Sequence, residues 1–212
     1  MSWFARYLRS SIGAKHVMAV TGLLLLLFAI FHMLGHLQMF GGRAMYNAYA
    51  HFLQELWEVK WPVRAVLLGL LILHVVLAIG LVAKNRAARQ VSYAVYRPAR
   101  SSWVGRSMAL TGLVVLAFLI FHIYHFTIAP TNPGDAYTGY VLAFRQPLYY
   151  AIYLAGILLL SLHLGHGASS WLQSLGWRHP KYPVDKLGPI ISTFLFVGYM
   201  IPPTAVLAGV IA

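Results

Sequence analysis

The chain has 212 residues, is 60% hydrophobic and only 9% charged, and has a mean hydropathy of +0.70. That excludes an ordinary soluble domain and points to an integral membrane protein. A net charge of +12 would suit a nucleic-acid binder, but the basic residues are distributed as topology signals instead. Cysteine is absent, which excludes disulfides, thiolate-held clusters and covalent c-type haem attachment.

Five apolar segments reach the roughly 20 residues that a membrane-spanning helix needs, near 17–38, 62–83, 104–127, 147–171 and 188–210. The expected fold class is an all-α membrane protein of five transmembrane helices, one integral membrane domain over 1–212. Span 1 is too long, and too poor in a small-residue cleavage pattern, to be a removed signal peptide. The stretch 39–61 is amphipathic and aromatic and reads as a short helix along the interface. Pro62, Pro147 and Pro189 sit at the starts of spans 2, 4 and 5, where a missing amide hydrogen costs little. Pro202-Pro203 is expected to kink or end span 5. Trp57, Trp61, Trp103, Trp171 and Trp177 flank the spans as interfacial anchors.

Charge sets the orientation. Arg6, Arg9 and Lys15 precede span 1. Lys84, Arg86, Arg89, Arg97, Arg100 and Arg106 fill the second connection, and Arg178, Lys181 and Lys186 the fourth, so 12 of the 16 basic residues fall on one side. The other side has Arg43, Lys60, Arg64 and Arg145, offset by Glu55, Glu58 and Asp135. This positive-inside pattern predicts a cytoplasmic N-terminus and an external C-terminus. The basic inner face also suits anionic lipid or a cytoplasmic partner.

The sequence repeats itself. At a constant offset of 90, Thr21, Gly22, Leu23, Phe28, Ile30, Phe31 and His32 recur as Thr111, Gly112, Leu113, Phe118, Ile120, Phe121 and His122. Seven of the ten histidines fall inside spans: His32, His36, His74, His122, His125, His163 and His166. Ionisable side chains in a hydrocarbon-length helix are costly and mark functional sites. At 1.5 Å per residue, His32 and His122 lie roughly 22 and 27 Å from the inner starts of their spans. His74 and His163 lie about 18 and 24 Å from outer starts. Hairpin spacings agree, with 42 residues from His32 to His74 and 41 from His122 to His163.

A pseudo-twofold bundle of the first four spans would therefore pair His32 with His122 near the outside and His74 with His163 near the inside. Each pair can supply two axial imidazoles to one haem b. His36, His125 and His166 lie one turn away on roughly the same faces and are alternative ligands or hydrogen-bond donors. A single haem, a structural histidine set, or a histidine-lined zinc or copper transporter are the competing readings. Gly22 and Gly112 serve either close helix packing or clearance for a flat macrocycle. Arg106 and Ser107, at the inner start of span 3, are candidates to meet the propionates of an inner haem.

SSIGAKHVMAVTG at 10–22, FH at 31–32 and 121–122, and HLGHGASSWLQSLGW at 163–177 resemble the dihaem cytochrome b membrane anchor of succinate:menaquinone oxidoreductases (succinate dehydrogenase, complex II) and fumarate reductases. The resemblance covers most of the chain. It implies a multi-pass protein of the bacterial cytoplasmic membrane that binds two haem b through His32, His74, His122 and His163. It further implies an FAD-bearing flavoprotein subunit and an iron–sulfur subunit as partners, with electrons passing to menaquinone toward the outer face. A glutamate within span 4 of some relatives is matched here by Ser161, so a proton route there is not supported. Glu55 or Glu58 could stand where a quinone-linked carboxylate lies in some members, and solvated loop charges are the competing reading. A dihaem anchor of a hydrogenase or formate dehydrogenase would place its histidines similarly but dock another catalytic subunit.

Overall fold

A computed structural model of the chain describes residues 2–3, 6–7, 10–88, 103–177, 179, 181 and 183–212. Arg9, Arg89, Arg97, Arg100 and Arg178, all assigned above to the basic face, lie outside the described residues. Helices α1 (Ser11–Leu37), α2 (Gly42–Glu55), α3 (Trp57–Ala87), α4 (Trp103–Ile123), α5 (Ala136–Phe144), α6 (Pro147–Ser174) and α7 (Leu187–Leu207) make up the fold, with no strand among the described residues. Five helices are long and apolar enough to cross a membrane, so the chain is a multi-pass helical membrane protein. Following the charge asymmetry, the end at which α1 starts is called the inner end.

Local chemistry sets the boundaries. Ser10 caps α1 by accepting from the Gly13 amide at 3.0 Å, satisfying one of the free donors of the first turn. After a 3-10 turn at Gln38–Gly41, the chain reverses at Gly42, whose φ of +83° favours glycine. Pro147 takes the first position of α6, as expected.

One proline expectation is corrected and a second narrowed. Pro62 lies inside α3, which starts five residues earlier at Trp57, because the apolar and aromatic stretch before it already winds as helix. Pro202 and Pro203 do not end α7, which continues to Leu207. Both are fully buried, and packing from neighbouring helices holds the segment in shape where its own hydrogen bonds are lost.

The bundle is built from hairpins. α1 packs on α3 and α4 on α6, while α6 also meets α1 and packs most extensively on α7. Small residues let α6 and α7 approach closely: a Cβ at Gly165 would lie 2.6 Å from the Gly188 carbonyl oxygen, and one at Gly188 2.9 Å from that of Gly165. Leu26, Met33, Ala168 and Leu195 seal the seam where α1, α6 and α7 meet. There the Tyr199 hydroxyl donates to the Ala29 carbonyl at 2.6 Å. A second cluster closes the outer end, with Met39, Tyr46, Tyr137, Tyr140, Phe144 and Tyr153 among its members. By contrast, Leu81 is the buried residue of α3, leaving most of that helix facing outward.

Candidate cofactor site in the helix bundle

Polar side chains at membrane depth need partners on neighbouring helices. Thr21 on α1 is 3% exposed. Its hydroxyl donates to the Met18 carbonyl at 3.1 Å and lies 3.2 Å from Nδ1 of His74 on α3. The second hairpin repeats the arrangement. Thr111 on α4 donates to the Met108 carbonyl at 3.2 Å and lies 3.4 Å from Nδ1 of His163 on α6.

The neighbouring glycines complete each seat. A Cβ on Gly22 would come within 3.2 Å of Cε1 of His74, and one on Gly112 within 3.3 Å of Cε1 of His163. Each glycine therefore clears the histidine ring from the paired helix. His74 on α3 and His163 on α6 thus occupy matching seats in the two hairpins. These residues make an inner tier.

The outer tier lies ten residues further along α1 and α4, from Gly22 to His32 and from Gly112 to His122, an axial offset of about 15 Å. The rings of His32 and His122 stand 5.9 Å apart, edge to face. With imidazole–metal bonds of about 2 Å, two rings on opposite sides of one metal would have centroids about 6 Å apart. Neither α1 with α4 nor α3 with α6 is among the helix pairs in close backbone contact. His32 and His122 thus meet between helices that are not tightly packed together. Paired imidazoles at this spacing fit bis-histidine ligation of a flat macrocycle.

The doublet histidines diverge. His36 Nδ1 bonds the Tyr46 hydroxyl at 3.0 Å, while its Nε2 lies 3.3 Å from Nε2 of His32. His125 falls in a π-turn, Tyr124–Ile128, which widens the helix where the sequence repeat stops matching; such turns are frequent at functional sites. Its Nδ1 is 3.2 Å from the Tyr153 hydroxyl, which is also 3.3 Å from Nδ1 of His122. The buried Nε2 of His125 has no hydrogen-bond partner among the described residues. His166 is half-buried one turn beyond His163, and Ser161 is 1% exposed. Arg106 is exposed and Ser107 half-buried, about one turn below Thr111. Glu55 and Glu58 are both exposed.

Magnitudes show what the Thr–His contacts do. Interhelical hydrogen bonds in bilayers average about 0.6 kcal/mol and reach about 1.7 kcal/mol. Two of them cannot hold a five-helix bundle, whose cohesion comes from close packing such as that of α6 on α7. Their main effect is to orient two rings.

A lid covers the outer end, and it was not anticipated from the sequence. α5 inserts Tyr137, Tyr140 and Phe144 into the outer cluster. Tyr140 packs against His36, with ring centroids 5.6 Å apart and planes tilted by 35°. Asp135 latches α5 to α2: it accepts from the Thr138 amide at 3.0 Å, the Thr138 hydroxyl at 2.7 Å and Asn47 Nδ2 at 2.7 Å. The Tyr137 amide donates back to Asn47 Oδ1 at 2.9 Å. Arg43 pairs with Asp135, but it is 68% exposed against 12% for the carboxylate. Such an ion pair contributes little, so the hydrogen bonds carry the latch.

The same ordering governs titration. The Thr138 hydroxyl, then the Thr138 amide and Asn47, hold the Asp135 carboxyl well below the usual carboxylate range, with Arg43 adding less. A depressed folded-state pKa contributes stability above the unfolded value of about 3.9, lost as pH falls through the folded value. Asp135→Asn should therefore melt below the parent at neutral pH, with the gap closing in acid. Thermal unfolding followed across pH in detergent checks this. A gap that stays constant with pH would show that the carboxylate charge plays no part.

Beside the lid, Thr131, Leu142, Ala143, Gln146, Leu148 and Tyr149 line an open cleft of about 510 Å³. Tyr149 packs against His125, with ring centroids 4.4 Å apart and planes tilted by 34°. Among the described residues no three histidine or acidic side chains converge as a metal-ligand set. What the bundle offers is pairs of imidazoles. No family model, curated protein or solved structure matches the chain.

Proposed function

We propose that this chain is the dihaem cytochrome b anchor of a succinate:menaquinone oxidoreductase or fumarate reductase in a bacterial cytoplasmic membrane. The observation that supports the reading is the two-tier arrangement of histidines: His32 and His122 with rings 5.9 Å apart, and His74 and His163 in matching seats of threonine and glycine, on helices that do not pack tightly on each other. Haem b held in each tier would supply one-electron redox chemistry. Two imidazoles per iron leave no open position, which suits electron transfer rather than oxygen binding.

The chain's own residues do the rest. Gly22 and Gly112 make room for the inner ligand rings, and the aromatic lid keeps water from the outer pair. Arg106 and Ser107 at the inner start of α4 stand where propionates would need a cation and a hydroxyl. The cleft beside Tyr149 and Gln146 falls within the usual range of ligand pockets and is the candidate menaquinone site at the outer end. The basic inner face is where an iron–sulfur subunit, itself bound to an FAD-bearing subunit, would dock and deliver electrons.

The test is a reduced-minus-oxidised spectrum of the purified complex. Two b-type haems per chain are expected, re-oxidised by a menaquinone analogue, with flavin and an iron–sulfur protein co-purifying. A haem-free chain would overturn the reading. A dihaem chain co-purifying with a hydrogenase or formate dehydrogenase subunit would keep the haems and overturn the partner assignment.

A further inference from the structure

We propose that Thr21 and Thr111 are positioning residues that hold His74 and His163 as Nδ1–H tautomers, each leaving its Nε2 lone pair free for an axial bond. The use of that lone pair rests on the dihaem reading above; the tautomer itself does not.

Each threonine hydroxyl has one hydrogen and two lone pairs. The hydrogen is committed to the carbonyl one turn back, Met18 for Thr21 at 3.1 Å and Met108 for Thr111 at 3.2 Å. Only lone pairs remain for the imidazole nitrogens at 3.2 and 3.4 Å, so Nδ1 must be the donor. A neutral imidazole with its proton on Nδ1 carries its lone pair on Nε2. Setting the tautomer through the distal nitrogen is the usual means by which an outer partner orients a ligating histidine and raises its basicity.

The outer tier is wired differently. There Nδ1 of His122 and of His125 share the Tyr153 hydroxyl, and Nδ1 of His36 meets Tyr46. A phenol can donate or accept, so it does not dictate the tautomer. Removing the threonine hydroxyls should consequently alter the inner centre alone.

The experiment compares Thr21→Val, Thr111→Val and the corresponding Thr→Ser variants in the assembled complex by redox titration of both b centres. Each Val variant should raise the midpoint potential of the inner centre, because a more basic ligand favours ferric iron. A tenfold change in the relative stabilisation of the two oxidation states corresponds to 59 mV for a one-electron couple. Affinity for haem in that tier should fall about tenfold or more. The Ser variants should restore the parent potential, and the outer centre should stay unchanged throughout. Unshifted inner potentials in both Val variants, or equal shifts of both centres, would overturn the assignment.

Nitrogen-15 NMR of the haem-free full chain, labelled at histidine, reads the tautomers directly. Nδ1–H at His74 and His163, lost in the Val variants, supports the assignment; Nε2–H in the parent overturns it. A parent complex with no b-type absorbance would defeat the dihaem reading, and the nitrogen spectrum would still decide the tautomer.

Discussion

On the proposed dihaem reading, replacing His74 or His163 with alanine is expected to abolish one of two b-type centres and leave the other spectrally intact. The reciprocal substitutions, His32→Ala or His122→Ala, should remove the second centre and spare the first. The expectation follows from separation: the tiers lie about 15 Å apart along the helices, so losing a ligand in one leaves the other pair facing as before. A bis-imidazole site that loses one ligand loses its low-spin character outright, so the change is one centre of two. His36→Ala and His125→Ala should retain both centres when His32 and His122 are the outer ligands; loss of a centre in either would move that ligand role to the doublet histidine. Low-temperature difference spectra and EPR of the ferric state read the outcome. If His32→Ala and His74→Ala removed the same signal, the two-tier assignment would be wrong.

Gly165→Ala should disrupt the crossing of α6 and α7. Its Cβ would sit 2.6 Å from the Gly188 carbonyl oxygen and 2.7 Å from Cβ of Ser192. Neither neighbour is the end of a flexible side chain, so α7 itself must move. Overpacking of this kind costs about 1–3 kcal/mol, and helix association in lipid rests on such close approach. The displacement would spread to Leu195 and Tyr199, which join α7 to α1, and to His163 two residues before the substitution. A lowered melting temperature in detergent should therefore accompany partial loss of the inner centre. Gly167→Ala is the matched control: a Cβ there meets nothing within 4 Å, and the helix gains about 1 kcal/mol of intrinsic propensity. Equal melting of the two variants would show that the α6–α7 crossing is not limiting.

The spans and the meeting of His32 with His122 were legible in the sequence because both rest on one-dimensional quantities. A bilayer fixes the length of an apolar run, and helix rise turns residue number into depth. The repeat marked Thr21 and Thr111 as plainly as His32 and His122. What it lacked was the partner: nothing in spacing says that a hydroxyl on α1 meets a ring 53 residues later on α3. The glycine pair was ambiguous for the same reason. α5 escaped notice because AYTGYVLAF is too short for a span and too apolar for a surface helix, and it becomes intelligible only as a lid. The π-turn at Tyr124–Ile128 left one trace in the sequence, the point where the two copies cease to align.

The Thr–His contacts also bear on biogenesis. Each lies within a single hairpin, α1 with α3 or α4 with α6, so every hairpin can clasp its own histidine as it leaves the insertion machinery. Maturation then becomes the meeting of two finished halves. The latch obeys the opposite rule: Arg43 and Asn47 come from the first hairpin's connection and Asp135 from the second's, so it cannot close until both halves have arrived. Any guest that enters through the outer end would have to do so before that last step.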